Sequence, residues 1–403
     1  MRVLILSCNT GGGHNSAAAA IKEYFDSRNI FCEIKDALAF DSRLKSEVIS
    51  KGHVLIYKKA PVLFGVGYHY AEKHPPKQGK ESLMYTVMKS GTDALYNYLV
   101  ENEIDAVIST HVFASMMMTE IKNHEDIAVK SYFVATDYTC YPGTDEIKAD
   151  AYFIAHRYLI PDYIDFGIPE EKLIATGIPI KRAFYHSLSV EKAKDILDLP
   201  QDKKILLLMC GSMGCGPIFK LGKTLLKTLP ADSFLVVICG SNHRLVKKFE
   251  KIASEEKMRV VGYTDMMNLY MDASYAVMTK PGGLSSSESA TKGLPMVLMN
   301  VVAGCETRNL DFFLKNNFAV THKSLKGLAA EAVALLWDEV RAKTTSQLLK
   351  EEFSLYASGA IGNYVIDAYE NPVEEIKTEP IEEEMINMEK EESESPYEVT
   401  ILS

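Results

Sequence analysis

Residues 279–288 form the cluster of the chain best suited to hold a phosphorylated ligand. They read Thr-Lys-Pro-Gly-Gly-Leu-Ser-Ser-Ser-Glu after the apolar run 275–278, so a strand is expected to turn tightly into a helix over 286–292. Backbone N–H groups and the positive dipole end of such a helix bind phosphate. The expected diphosphate site comprises Gly282, Gly283, Leu284, Ser285 and Ser286. Glu288 lies one turn further on and can accept both hydroxyls of a ribose, whereas helix capping alone would explain only the serines.

Two other diphosphate-binding motifs are absent from the sequence. It contains no G-x-x-x-x-G-K-[ST], which argues against a P-loop NTPase, and no D-x-D, so a diphosphate held through a metal on that motif is not supported. We therefore expect the helix dipole and N–H groups alone to stabilise the diphosphate, with no metal and no cofactor.

A second glycine-rich turn, Asn-Thr-Gly-Gly-Gly-His at residues 9–14, follows the apolar run 2–6. His14 would lie at a helix start on the C-terminal edge of a sheet, where open α/β folds bind ligands. There it can accept a proton from a hydroxyl near neutral pH. The alternative is a histidine that only caps the helix or orients a ligand. Asp36 has the spacing of a ribose-binding acid, but Ser16 stands where G-x-G-x-x-G needs its third glycine, and an NAD dehydrogenase would leave 279–288 without a purpose.

Short runs of Val, Ile and Leu alternate with helix-length segments along the chain. Such runs are typical of parallel strands buried on both faces, and their alternation with helices indicates βαβ units. Strands are predicted at 2–6, 32–36, 105–109, 131–135 and 151–154, and again at 204–209, 234–239, 259–261, 275–279 and 296–299. Because each set opens with a strand, a glycine loop and a helix, the predicted fold class is α/β, with two Rossmann-like, doubly wound parallel-sheet domains.

The predicted domains are 1–180 and 181–350, followed by a helix at 351–370 that crosses back to the first domain and an acidic tail at 371–403. Helix is expected over 347–370, with a possible break at Gly359. The tail holds eleven Glu and two Lys and is predicted to be disordered. The whole chain has a net charge of −10, so the rest is nearly neutral and nucleic-acid binding is not expected.

The apolar runs and the cysteines of the chain indicate its cellular compartment. No apolar run approaches the ~20 residues of a membrane-spanning helix, and the N-terminus lacks the long apolar core of a signal peptide. The seven cysteines form no C-x-x-C pair and several lie in strand-like runs, which favours buried reduced thiols. We expect a cytoplasmic protein.

Residues 42–90 depart from the strand–helix alternation. They carry nine Lys or Arg against three acids, with aromatic and aliphatic residues between them. This mixture suits an anionic bilayer surface, where each nearby basic residue contributes about 1 kcal/mol. The candidate membrane contacts are Lys58, Lys59, Phe64 and Tyr68. The alternative is an inserted helical hairpin packed on the first domain with its lysines in solvent.

Motifs in consistent order over residues 1–370 resemble the diacylglycerol glycosyltransferases of glycosyltransferase family 28, close to processive diacylglycerol glucosyltransferases and monogalactosyldiacylglycerol synthases. In the first half they are Gly-Gly-Gly-His at 11–14, Ile-Ser-Thr-His at 108–111, Ala-Thr-Asp-Tyr at 135–138 and Thr-Gly-Ile-Pro at 176–179. In the second half they are Val-Gly-Tyr at 261–263, the cluster 279–288, Gly-Leu-Pro at 293–295 and Gly-Cys-Glu at 304–306 with Asn309.

The resemblance implies a GT-B fold and an inverting, metal-independent transfer of glucose or galactose from a UDP-sugar to the sn-3 hydroxyl of diacylglycerol. It implies that the second domain binds the UDP-sugar and that the acceptor lipid reaches the first domain from the bilayer. The segment 42–90 corresponds to the family's membrane-binding region. The expected location is therefore peripheral, on the inner face of the cell membrane.

The resemblance also implies roles for individual residues. His14 would act as the base, with Asp137 and His111 beside the acceptor hydroxyl. Tyr263 and Met267 would line the uracil pocket, and Glu288 would hold the ribose. Glu306 and Asn309 would hold the sugar. The other expected donor contacts are Gly13, Gly211, Ser212, Gly214 and Gly304, together with the diphosphate residues named above.

The chain departs from the family's pattern at two positions. Cys305 stands where a sugar-contacting Gln is usual, and Tyr141 stands where His often precedes Pro142. The sugar is therefore left open between glucose and galactose. Three other functions remain as alternatives: transfer to another lipid-linked acceptor, as in peptidoglycan N-acetylglucosaminyltransferases, a UDP-sugar epimerase, and a UDP-sugar-binding sensor without turnover.

Overall fold

A computed structural model describes residues 1–9, 12–40, 83–209, 211, 217–299 and 305–371. In the helix over residues 83–101, side chains are described only from residue 91 onward. The candidate membrane contacts Lys58, Lys59, Phe64 and Tyr68, the donor contacts Ser212, Gly214 and Gly304, and nearly all of the acidic tail lie outside the described residues.

Within the described residues, twelve parallel strands form two six-stranded sheets. The first sheet contains β1 (Arg2–Ser7), β2 (Phe31–Asp36), β3 (Ala106–Ser109), β4 (Lys130–Val134), β5 (Ala151–Ile154) and β6 (Leu173–Ala175). The second contains β7 (Lys204–Met209), β8 (Ser233–Ile238), β9 (Met258–Val261), β10 (Ala276–Thr279), β11 (Met296–Leu298) and β12 (Ala319–Val320). The central strands are almost wholly buried, which explains their continuous apolar sequences.

Thirteen α-helices lie within the described residues and cover the sheets. The first domain has α1 (Gly12–Ser27), α2 (Leu83–Glu101), α3 (Val112–His124) and α4 (Ile160–Asp165). The second has α5 (Val190–Ile196), α6 (Ile218–Thr228), α7 (His243–Glu250), α8 (Met267–Asp272), α9 (Gly283–Thr291), α10 (Cys305–Lys315), α11 (Leu325–Trp337) and α12 (Glu339–Glu352). The last is α13 (Ala357–Glu370). None of these described helices is long and apolar enough to cross a membrane.

Strand order places the ligand-binding edges. The first sheet runs β2-β1-β3-β4-β5-β6, and the second runs β12-β11-β10-β7-β8-β9. The order reverses between β1 and β3 in the first sheet and between β10 and β7 in the second. Loops that leave the strands on either side of such a reversal diverge to opposite faces and open a crevice. At the carboxyl edge of the first sheet, the segments after β1 and β3 therefore line one crevice. At the carboxyl edge of the second sheet, the segments after β7 and β10 line another.

The prediction of two doubly wound parallel sheets is confirmed, and the ten predicted strands are all present. The two strands that the sequence analysis missed, β6 and β12, have three and two residues and lie at sheet edges. Strands of two or three residues are too short to show a recognisable hydrophobic pattern in the sequence. The predicted break at Gly359 is wrong, because helices α12 and α13 are separated at 353–356 and Gly359 is buried inside α13.

The two domains share a hydrophobic core. The Tyr138 ring, from the segment after β4, stacks on Phe312 with centroids 4.8 Å apart and lies edge-on to Phe313, also at 4.8 Å. Its hydroxyl lies 2.6 Å from Ser287 Oγ on α9. At the far end of the chain, Ile361 of α13 is buried in the core of the first domain. The first domain is thus anchored to the second at Tyr138 and covered by the last helix.

Candidate active site

His14 lies in the first turn of α1, immediately after β1, and is half-buried. His111 follows β3, the neighbouring strand across the reversal of the first sheet, and its ring lies edge-on to that of His14 at 4.6 Å between centroids. The two histidines are 97 residues apart in sequence, and the sheet topology brings them together.

The hydrogen bonds of His14 fix its tautomer. Its Nδ1 lies 2.7 Å from the carbonyl oxygen of Thr110, which can only accept, so Nδ1 carries the proton of the neutral ring. The Thr136 hydroxyl lies 3.0 Å from the same nitrogen. Nε2 is then the basic nitrogen, as a general base at this edge requires.

His111 has a structural task that the sequence analysis did not assign. It is the N-cap of α3, and its Nδ1 accepts a hydrogen bond from the Phe113 N–H at 3.1 Å. The neutral ring therefore has its proton on Nε2. His111 packs against His14 as expected, but its basic nitrogen is already occupied.

Asp137 follows β4 and reaches across to the second domain. The Asn309 Nδ2 donates to its Oδ1 at 2.6 Å, the Gly283 N–H donates to the same carboxylate, and the Tyr141 hydroxyl donates to Oδ2. Tyr141 thus makes a defined contact at the position where the family often has His. Burial raises the pKa of Asp137 to about 6, with Glu306 adding to the shift and Asn309 opposing it.

Helix α9 begins at Gly283, three residues earlier than predicted. The Ser286 N–H donates to the Gly282 carbonyl within the helix at 3.0 Å, so it is not one of the N–H groups exposed by the helix start. The Gly283 N–H bonds to Asp137. The N–H groups of Leu284 and Ser285 remain in the first turn as the predicted phosphate donors.

Glycine is required at position 283 because the two domains touch there. A Cβ on Gly283 would overlap the Thr136 carbonyl oxygen. On the other domain, an added Cβ on Gly13, in the first turn of α1, would lie 3.3 Å from Leu284 Cδ2. The starts of α1 and α9 therefore face each other, with His14 on one side and the predicted phosphate site on the other.

Glu288 lies in the second turn of α9 and is half-buried. Among the described residues, no hydrogen bond or ion pair of its carboxylate is found. Burial raises its pKa to about 8, and Lys181 acts in the opposite direction. A half-buried carboxylate without a donor suits the predicted role as acceptor for ribose hydroxyls.

The remaining predicted donor contacts are arranged around this edge. Gly211 follows β7 with a φ of +64°, and Glu306 forms an ion pair with Lys280. Met267 is half-buried at the start of α8, whereas Tyr263 is 67% exposed, with its hydroxyl 3.2 Å from Asp265 Oδ1.

Asn309 is fully buried, and its amide is occupied by protein groups. Its Nδ2 donates to Asp137 and, at 2.9 Å, to the Pro281 carbonyl, while its Oδ1 accepts from the Tyr138 N–H at 2.6 Å. Asn309 joins the domains in this structure, and contact with a sugar would require it to exchange these bonds.

Sequence reasoning gave no role to Thr136, Tyr141 or Lys280, although all three contact predicted site residues. Thr136 adjoins Asp137 in sequence, and Lys280 lies inside the predicted cluster 279–288. Thr136 and Lys280 could have been identified from the sequence, because each is a polar residue at the carboxyl end of a buried strand.

Comparisons with known proteins show which families and folds the chain resembles. Residues 14–180 match the sequence model of the family described as monogalactosyldiacylglycerol (MGDG) synthase. A processive diacylglycerol beta-glucosyltransferase of Bacillus cereus (strain 03BB102) is 27% identical over 381 residues, which cover 93% of this chain and 95% of the relative. The protein of the same name from Bacillus mycoides (strain KBAB4) is 26% identical over 368 residues, covering 90% and 92%.

Solved structures support the fold. The S. aureus MnaA–UDP co-structure superposes with a TM-score of 0.61 at 13% identity, covering 93% of this chain and 98% of that one. The Acinetobacter baumannii MurG structure also gives 0.61, at 11% identity, covering 91% and 99%. Identities this low establish the fold alone, which is the GT-B arrangement of two Rossmann-like domains.

The family match covers the domain that carries His14, the curated relatives span nearly the whole chain, and the two sheets have the GT-B arrangement. The chain is therefore a glycosyltransferase that is similar to the diacylglycerol glycosyltransferases of family 28, the group of the processive diacylglycerol glucosyltransferases and monogalactosyldiacylglycerol synthases.

Proposed function

We propose that this enzyme transfers a hexose from a UDP-sugar to the sn-3 hydroxyl of diacylglycerol at a membrane surface, with inversion at the anomeric carbon. The observation that carries the proposal is the position of His14. Its ring is held through Nδ1 by Thr110, leaving Nε2 as the basic nitrogen, and the neighbouring Gly13 packs against Leu284 at the start of α9.

His14 is the proposed base. Its Nε2 takes the proton of the acceptor hydroxyl while the oxygen attacks the anomeric carbon from the side opposite UDP. One C–O bond forms, the bond between the anomeric carbon and the β-phosphate oxygen breaks, and UDP leaves with that electron pair. Asp137 is a poorer candidate, because Asn309, Gly283 and Tyr141 already donate to its carboxylate.

The start of α9 is the proposed site of the leaving diphosphate. The Leu284 and Ser285 N–H groups and the helix dipole stabilise its charge, and Glu288 holds the ribose. We propose that the reaction needs no metal, which a turnover assay in excess chelator tests directly.

The donor sugar and the lipid surface are part of the same proposal. The names of the curated relatives favour glucose, whereas the matched family model is named for a galactolipid synthase. The basic segment 42–90 is the proposed membrane contact.

The decisive experiment follows UDP and glycolipid together, in diacylglycerol vesicles with and without anionic lipid. UDP-glucose and UDP-galactose are supplied separately. We expect one of them to give UDP and glycolipid in equal amounts, faster on anionic vesicles. Binding of a UDP-sugar without glycolipid would overturn the assignment of diacylglycerol and favour another lipid-linked acceptor or a sensor.

A further inference from the structure

Lys280 lies between segments that follow two neighbouring strands of the second sheet. It comes directly after β10, and its side chain passes close to Gly211 after β7, where an added Cβ would lie 3.1 Å from Lys280 Cε. An added Cβ on Gly282 would lie 3.8 Å from Lys280 Nζ. The ammonium group therefore lies beside the turn that opens α9.

The ammonium group is largely buried and pairs with Glu306 of α10. Only 16% of the Lys280 side chain and 12% of the Glu306 side chain are exposed. Partly buried ion pairs are strong only when their geometry is good. Removing one partner is destabilising, because it leaves the other charge buried without compensation. A ligand that displaced one member would have to supply a replacement for it.

The start of α9 offers fewer donors than a free helix terminus. The Gly283 N–H is bonded to the Asp137 carboxylate and the Ser286 N–H to the Gly282 carbonyl. A diphosphate at this position would carry at least two negative charges and needs further positive charge to leave easily. Among the described residues, Lys280 is a cationic side chain adjacent to that turn.

We propose that Lys280 binds the donor diphosphate and exchanges its partner as the donor binds, an inference that rests on the proposed function. The ammonium group moves from the Glu306 carboxylate to the phosphate oxygens, and Glu306 is released to accept hydrogen bonds from sugar hydroxyls. The two residues then recognise adjoining parts of one donor: Lys280 the diphosphate and Glu306 the sugar.

The exchange predicts opposite effects of changing the two residues on UDP binding. Lys280→Met removes the phosphate contact, so UDP affinity should fall by about tenfold or more, the size expected for a lost charge-assisted hydrogen bond. Uridine affinity should not change. Glu306→Gln removes the carboxylate that competes for Lys280, so UDP affinity should rise while the relative affinity for UDP-sugar over UDP falls.

Calorimetry with uridine, UMP, UDP and the UDP-sugar tests this without any acceptor. Lys280→Arg should retain UDP binding within a fewfold, because it keeps the positive charge. The double variant Lys280→Met with Glu306→Gln removes both charges of this pair and should still bind UDP more weakly than the wild type. Lys227→Met, an exposed lysine on α6, removes the same charge from the same domain as a control.

The outcomes separate this inference from the proposed function. If Lys280→Met and the double variant bind UDP as the wild type does while the wild type makes glycolipid, the exchange is wrong and the enzyme assignment stands. Equal losses of uridine and UDP affinity would show that Lys280 supports the fold and would also overturn the exchange. If wild-type protein binds neither UDP nor UDP-sugar, the proposed function itself fails.

Discussion

At the scale of single residues, the two candidate bases differ in what already surrounds them. The His14 ring is fixed by Thr110 and Thr136 through one nitrogen, so its other nitrogen is the basic one. The Asp137 carboxylate instead accepts hydrogen bonds from both domains. A group that holds two domains together is poorly placed to gain and lose a proton in each turnover.

His14→Ala should lower kcat by about 10²–10⁴-fold, the usual contribution of a general base, and leave UDP affinity unchanged. Steady-state turnover on diacylglycerol vesicles and UDP calorimetry measure the two effects. Thr136→Val removes only the second contact of Nδ1 and should cost much less. Near-normal turnover of His14→Ala would eliminate it as the base and make Asp137 the next residue to test.

Glu288 should make nucleoside binding depend on pH. Burial raises its pKa to about 8, so below that pH the carboxyl is protonated, whereas accepting two ribose hydroxyls needs the carboxylate. Uridine affinity should therefore rise with pH, by up to about tenfold per unit, and level off above pH 8. Calorimetry at several pH values checks the slope. Glu288→Gln should bind uridine weakly and without this slope, and a flat wild-type profile would contradict the role.

At the scale of elements, the start of α9 is determined by the other domain. Gly283 fits because the Thr136 carbonyl occupies the place that a Cβ would take, and Asp137 accepts its N–H. The helix begins at Gly283, where the two domains are in contact, three residues before its predicted start at Ser286.

Gly283→Ala should separate the two domains at this contact. The added methyl group overlaps backbone, which cannot move aside as a flexible side chain can, so both the melting temperature and glycolipid turnover should fall. Gly282→Ala is the matched variant: its φ of −82° suits any residue and its nearest neighbour, at 3.8 Å, is Lys280. It should melt within about 2 °C of the wild type, and equal melting of the two variants would contradict the contact.

At the scale of the whole molecule, Tyr138 ties the cores of the two domains together. Its ring belongs to the first domain by sequence but packs among Phe312, Phe313 and Phe353 of the second. Opening of the cleft must then pivot near Tyr138 or pull the ring from a closely packed site.

Tyr138→Ala should lower the free energy of unfolding by about 3–5 kcal/mol, as for other large aromatic deletions in a core. Tyr138→Phe keeps the ring and removes only the hydroxyl beside Ser287, so about 1 kcal/mol should be lost. Urea unfolding followed by circular dichroism measures both. Similar losses in the two variants would show that the hydrogen bond, rather than the packed ring, joins the domains.

The sequence determined the central strands, their alternation with helices and the residues at their carboxyl ends. These features depend on local pattern: a strand buried on both faces must be apolar throughout, and a glycine turn that opens a helix must follow it. His14, Glu288 and the cluster 279–288 could be found in this way, because chemistry at a strand end is visible in a few consecutive residues.

Only the tertiary structure decided how those residues are used. The tautomer of His14 depends on Thr110 and Thr136, which are about 100 residues away, and Asn309 joins the domains through bonds to Asp137 and Tyr138. The start of α9 and the pairing of Lys280 with Glu306 likewise depend on elements that pack together from distant parts of the chain. Hydrogen-bond partners are set by which strands lie side by side, and no local pattern contains that information.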